Sequence, residues 1–336
     1  MPFLPSDISI QRISDPRKFP QAVWKVLQDN PRAANVILPQ ALEAKEKSNS
    51  AASSDWWIIC STNSEIEFIL SVTDGPLGPH PVFIFTPLPF DHLVDDYIRP
   101  CIRHLVVALA ATVPTSRVFS IFSVQPVTRI FAEEWTPHTG VGLADNHEYY
   151  AAKISYCTIK TLRYSSVDES QKYVLRPAVH EDIEEVGELC YRFASTSEPF
   201  TLTEARAQQE AINLVEKGQV WVHEAKKLGG EKEIASIVAF TRNSDRVAAI
   251  TKVHTKERWL RNGYAKRLVH KVCEHLLTGP NCKESVVLYV GNNNKAARVY
   301  DHVGFVGLTE DSQKVQGIDP WLELGFDREK VNLGHW

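Results

Sequence analysis

The sequence predicts an α+β (mixed α/β) protein built as two tandem copies of one fold, each a mixed, mostly antiparallel twisted sheet flanked by helices. Three observations lead there. The 336 residues amount to about two domains at roughly 100–200 residues each, both large enough for a core. In the second half, strand-like apolar runs and amphipathic helical segments follow one another in the order β, α, α, βββ, α, β, α, β. The first half repeats the later part of that order.

The elements of the second half follow from local pattern. A strand at Tyr173 to Leu175 precedes Pro177 and a segment from Glu181 to Phe193, whose Ile183, Val186, Leu189, Cys190 and Phe193 keep helical spacing. Thr203 to Val215 reads as a second helix. Val220 to Glu224, Ile234 to Phe240 and Val247 to Thr255 read as strands joined by short turns, hence an antiparallel meander. A helix from Gly263 to Leu277, a strand Val286 to Val290, a helix Asn293 to Val303 and a strand Trp321 to Gly325 complete the half.

In the first half, Trp56 to Cys60, Ile66 to Val72 and Val82 to Thr86 read as strands and Tyr97 to Ala111 as a helix. Val118 to Phe122 then matches Val286 to Val290 at an offset of 168 residues, and the helix Val127 to Trp135 falls where Ala296 to Gly304 falls. The run Val141-Gly142-Leu143 parallels Val306-Gly307-Leu308. Ala41 to Asp55, rich in Ser, Ala, Lys and Glu, reads as a solvated loop. The polar run Tyr164 to Gln171 marks a boundary, giving an expected first domain at 1–163, a linker at 164–172 and a second domain at 173–336.

Composition narrows the class. With 43% hydrophobic and 23% charged residues the chain reads as an ordinary folded protein. Lys and Arg total 37 against 41 Asp and Glu, a net charge of −4, so no overall positive field draws nucleic acid or anionic lipid, and neither is expected as a partner. The longest apolar stretch, Leu105 to Ala111, is far short of the ~20 residues of a membrane span. The amino terminus has no basic flank and apolar core of a secretion signal, and the six cysteines are scattered without a Cys-x-x-Cys pair. The expectation is a soluble, intracellular, cytoplasmic protein with reduced thiols and no metal; its oligomeric state is open.

Two segments carry chemistry. At Val253-His254-Thr255 a strand ends, and Arg261-Asn262-Gly263-Tyr264-Ala265-Lys266 opens a helix. Uncapped N–H groups of the first helical turn attract an anion, and glycine lets a phosphate approach closely. Arg261, Lys266 and Arg267 supply charge at the rim. About thirty residues on, Asn293, Ala296, Tyr300, Gly304 and Phe305 are spaced along a turn and helix after the next strand.

Together these segments resemble the acyl-CoA site of the GNAT superfamily of N-acyltransferases, and the likeness extends from Tyr173 to about Phe326. Val253, Thr255, Gly263 and Ala265 match the family's strand-end and phosphate-loop pattern, and Asn293, Ala296, Tyr300, Gly304 and Phe305 match its second pattern. Leu260 departs from it, standing where the family carries Arg or Gln.

The resemblance implies acetyl-CoA as co-substrate, bound by Val253, His254, Thr255, Arg261 to Lys266, Asn293, Ala296 and Tyr300. It also implies that the fourth and fifth strands splay beyond Thr255, and that Tyr300 is the general acid to the thiolate. The base is less legible: Glu224, His223, Asp245 and His254 are candidates, with Glu224 and His254 foremost. The acceptor is expected to be a small primary amine or amino acid in preference to a protein lysine. A longer-chain acyl-CoA amino-acid acyltransferase and a non-catalytic CoA-binding regulator are the alternatives. Aligning Thr86 with Thr255 puts Val94, Asp95 and Asp96 at the phosphate turn of the first copy and Ala132 opposite Tyr300, so that copy is expected to be degenerate and non-catalytic, as in tandem proteins such as the glycine N-acyltransferase-like group.

Overall fold

The computed structural model describes residues 7–47, 54–163, 174–227, 229–309 and 315–335. In chain order it forms β1 (Ile8–Ile13), α1 (Gln21–Asp29), α2 (Ile37–Glu46), β2 (Trp56–Thr62), β3 (Glu65–Val72), the two-residue strands β4 (Asp74–Gly75) and β5 (Gly78–Pro79), β6 (Val82–Phe85), α3 (Asp95–Ala110), β7 (Ser120–Val124), α4 (Gln125–Thr139) and β8 (Leu143–Cys157). There follow β9 (Val174–Pro177), α5 (Ile183–Ala194), α6 (Glu204–Glu216), β10 (Val220–Lys226), β11 (Lys232–Asn243), β12 (Val247–Thr255), α7 (Tyr264–Thr278), β13 (Ser285–Gly291), α8 (Ala297–Val303) and β14 (Pro320–Phe326). The fold class is the one the sequence predicts, and the first half carries the whole repeated order, including the opening β1, α1 and α2.

One strip of the sequence reading changes. Ala41–Glu46, expected in a loop, closes α2, because Leu38 and Ala41 are buried while the Lys and Glu residues line the exposed face. The expected linker at 164–172 lies outside the described residues.

The chain forms two compact units, one running up to Lys153 and resuming at Asp319, the other spanning Ile154–Ile318. This division differs from a cut in the middle of the chain. In the first unit the strand order is β1-β2-β3-β6-β7-β14-β8: the last strand of the chain sits between β7 and β8, antiparallel to both, with Leu324 opposite Ile121 and Leu322 opposite Ala151. Buried Glu323 of β14 accepts a hydrogen bond from Ser120 Oγ at 2.7 Å, and Thr128 Oγ1 donates to the Leu322 carbonyl at 2.9 Å. Strand spacing in the sequence identifies β14 but not its neighbours, which is why it reads as part of the second half.

In the second unit the order is β9-β10-β11-β12-β13, followed by the end of β8. All of the pairs from β9 to β12 are antiparallel, and β12 and β13 run parallel. An apolar core forms where Val238, Phe240, Ala248, Ile250, Val286, Leu288 and Val290 of the sheet meet Leu268, Val269, Val272 and Leu276 of α7. Burial of such side chains stabilises by roughly 1.5–3 kcal/mol each.

Candidate active site

β12 and β13 pair only from Val247↔Ser285 to Ala249↔Val287, although β12 continues to Thr255 and β13 to Gly291. Their facing edges beyond that point bound a wedge. It opens earlier than the resemblance implies, which is beyond Thr255. The cause lies on the other side of β12: its register with β11 shifts between Ala239 and Phe240 and again between Phe240 and Arg242, and such bulges bend and twist a strand away from a regular partner.

At the end of β12, Thr255 Oγ1 lies 2.9 Å from Ser236 Oγ. A short turn, Glu257–Trp259, leads to Leu260, which is 51% exposed. Arg261 and Gly263 then adopt φ of 63° and 74°, a conformation glycine accepts freely and arginine at a cost of about 1 kcal/mol. Gly263 opens α7 with no side-chain cap, so the first-turn N–H groups are left to a ligand or water. Arg267 reaches back over this turn, donating from Nη2 to the Asn262 carbonyl at 2.8 Å and lying 5.1 Å from the Tyr264 ring centre.

From β10, wholly buried His223 brings Nδ1 to 3.2 Å from the Tyr264 carbonyl and its ring to 4.4 Å from the Tyr264 ring. Burial holds His223 at about 4, so its imidazole is neutral at pH 7 and donates through Nδ1–H. Arg261 and Lys266 are exposed and have no hydrogen-bond or ion-pair partner among the described residues. Ala265 is half-buried and Asn262 exposed.

The second segment begins later than expected: α8 starts at Ala297, and Asn293 is exposed in the turn before it. The Asn294 side chain accepts from the Ala296 N–H at 2.9 Å, a local bond that competes with helix formation. Tyr300 is 8% exposed and meets Phe305 edge-on at 5.9 Å. Val253 and Ala296 pack on the apolar cluster that contains it, which brings the two sequence segments together. Burial alone pushes the Tyr300 phenol up to about 12. Gly304 has a φ of 123°, and a Cβ there would run into the Thr161 backbone carbonyl, so the helix can end against Thr161 only with glycine.

The base candidates Glu224 and His254 sit differently. Glu224 on β10 accepts from Arg176 Nε at 2.7 Å and lies 3.4 Å from Lys232 Nζ; the same Arg176 binds Asp182. It is thereby tied into a bracket joining β9, β10 and the start of α5. His254 follows Lys252 on β12, where the Lys252 ammonium contacts Glu210 at 2.7 Å and stands 4.8 Å over the Phe193 ring. Burial lowers the proton affinity of His254, Arg192 and Lys252 lower it further, and Glu188 and Glu257 oppose them. Its imidazole is neutral at pH 7, the form a base requires.

Residues 181–305 match the model of the acetyltransferase (GNAT) family. The second unit carries a GNAT domain. The whole chain resembles in fold a tandem GNAT protein from the clavulanic acid biosynthesis pathway, with 13% identity over 95% of this chain and 98% of that one and a TM-score of 0.53. It also resembles a GCN5-related N-acetyltransferase from Sphaerobacter thermophilus, with 11% identity over 98% of both chains and a TM-score of 0.52. At these identities the likeness is one of fold. No curated protein matches the sequence.

The first unit places different chemistry at the positions corresponding to the GNAT domain's loop. Its α3 is capped by Val94 at a φ of −86° and begins Asp95, Asp96, with Asp95 held by Arg99 at 2.5 Å. These carboxylates occupy the helix end where a phosphate would be drawn, and Ala132 is a buried residue of α4. In the GNAT domain, nothing in the sequence singles out Glu233. It is 4% exposed and receives Arg258 through Nε at 2.7 Å and through Nη2, Trp259 Nε1 at 2.6 Å and Lys256 Nζ at 3.4 Å. Burial works to raise its carboxyl, but these donors outweigh it and hold it at about 2. No periodicity or motif marks such a residue, because its partners are set by the register of β11 against the turn after β12.

Proposed function

We propose that the GNAT domain transfers an acetyl group from acetyl-CoA to a primary amine, of the size of a small amine or amino acid, by direct attack in a ternary complex. The observation that carries this reading is the wedge between β12 and β13 beside a helix opened by Gly263. An extended pantetheine arm can add to a strand edge there while the N–H groups of α7 face the pyrophosphate. Arg261 and Lys266 stand ready as the cations of that loop, whereas Arg258 is committed to Glu233.

In the proposed reaction the amine nitrogen bonds to the thioester carbon, and a backbone N–H near Val253 or His254 stabilises the oxyanion. Neutral His254 accepts the ammonium proton; Glu224, neutralised by Arg176 and Lys232, takes no part. The C–S bond then breaks, and Tyr300 donates its hydroxyl hydrogen to the departing thiolate. The raised phenol remains protonated until that anion forms, and the same dry surroundings raise the proton affinity of the sulfur as well. The first unit, with Asp95 and Asp96 at its helix end, carries no turnover in this reading.

The test is release of CoA thiol by the purified protein from acetyl-CoA across a panel of primary amines and amino acids. Amine-dependent release above hydrolysis supports the reading. Tight binding without amine-dependent release makes the protein a CoA-binding regulator instead.

A further inference from the structure

Glu233 lies at the start of β11, and the turn between β12 and α7 is tied to it. Lys256, Arg258 and Trp259 all send side-chain donors back to this one buried carboxylate. Glu185 and Glu188 of α5 hold Lys256 from the other side at 3.0 and 3.5 Å, and Glu185 also accepts from the Ile234 N–H at 2.9 Å. The Trp259 ring in turn rests 5.3 Å from the Tyr264 ring in the first turn of α7. The consequence is a turn tied to Glu233 through Lys256, Arg258 and Trp259, with Leu260 and Arg261 exposed at its tip.

We propose that Glu233 is the positioning residue of the donor-phosphate loop. By gathering Lys256, Arg258 and Trp259 it fixes the direction in which the N–H groups from Arg261 to Ala265 point, and it keeps Arg258 off the phosphates. This rests on the acyl-CoA reading given above. The cost of the arrangement is that two cations close to the loop are spent on structure, so the anion is held by preorganised backbone groups together with Arg261 and Lys266.

The experiment is calorimetric titration with acetyl-CoA of the full chain and of the variants Glu233→Gln, Arg258→Gln, Trp259→Phe and the Glu233→Gln/Trp259→Phe double variant, with steady-state kinetics on each. Trp259→Phe and Arg258→Gln are each expected to weaken binding about threefold and Glu233→Gln about tenfold, and the double variant should be no weaker than Glu233→Gln, since residues in one network do not add. KM for acetyl-CoA should rise by the same factors at unchanged kcat and unchanged acceptor KM, a split that general destabilisation does not produce. Should Glu233→Gln not fold, Trp259→Phe and Arg258→Gln carry the test alone. Wild-type affinity in the variants, or full multiplication of the two effects in the double variant, overturns the proposal. Failure of the wild-type chain to bind acetyl-CoA contradicts the acyl-CoA reading itself, before any variant is compared.

Discussion

Tyr300 and His254 are the residues on which turnover depends in this account. Replacing Tyr300 by Phe removes the hydrogen donated to the thiolate without changing the apolar packing against Phe305; kcat should fall about 100-fold or more while acetyl-CoA affinity stays within about twofold, measured by steady-state kinetics and titration. The pH–rate profile should rise on its acidic side at a midpoint below the ordinary 6.5 of histidine, because burial, Arg192 and Lys252 disfavour the imidazolium of His254. With Tyr300 held at about 12, no fall from ionisation of the phenol is expected up to pH 10. His254→Gln should abolish the acidic limb. His223 acts on stability instead. Its folded value of about 4 lies below the unfolded 6.5, so from pH 6.5 down to 4 the unfolded chain gains a proton that the folded one refuses. Stability should fall by roughly 1–3 kcal/mol over that window and level off below it, and chemical denaturation at stepped pH should show a shallower loss in His223→Leu. Of these residues, Tyr300 is singled out in the sequence only through the resemblance of its segment to the GNAT pattern. His254 and Glu224 could not be ranked until the ion pair of Glu224 with Arg176 was seen.

Among the elements, the turn into α7 carries the most specific expectation. Gly263 has a φ of 74°, and a Cβ added there would lie 2.7 Å from the Arg267 guanidinium. Gly263→Ala should therefore cost about 1 kcal/mol of stability and weaken acetyl-CoA about tenfold, read from thermal unfolding and titration. Elements of the second half were legible because their apolar periodicity is strong: β12 was expected at the residues it occupies, and α5, α6 and α7 within a few positions. β1, α1 and α2, including Ala41–Glu46, are not legible in the sequence, because short helices with Ser, Lys and Glu outside look like solvated chain until a buried Leu38 gives them an inner face. The wedge between β12 and β13 depends on bulges near Phe240. No residue type announces these bulges, so the sequence does not locate the opening.

On the scale of the whole molecule, the two-copy plan was visible in the order of elements, but the exchange of the last strand was not. A chain ending at Ile318 would lack β14, leaving β7 and β8 of the first unit without the strand that separates them and Ser120 and Thr128 without their partners Glu323 and Leu322. That chain should lose the first unit's protection in limited proteolysis, whereas removal of a dispensable tail would leave it intact. The sequence could not show this because a strand's own pattern names its faces and never its neighbours. The central claim is that the GNAT domain alone binds acetyl-CoA, and calorimetric titration of the full chain tests it most directly. The account predicts saturation at one site per chain, weakened by Gly263→Ala and unchanged by substitution of Asp96 in the first unit. Two sites, or no binding up to about 1 mM, an affinity weaker than roughly 4 kcal/mol, would contradict it.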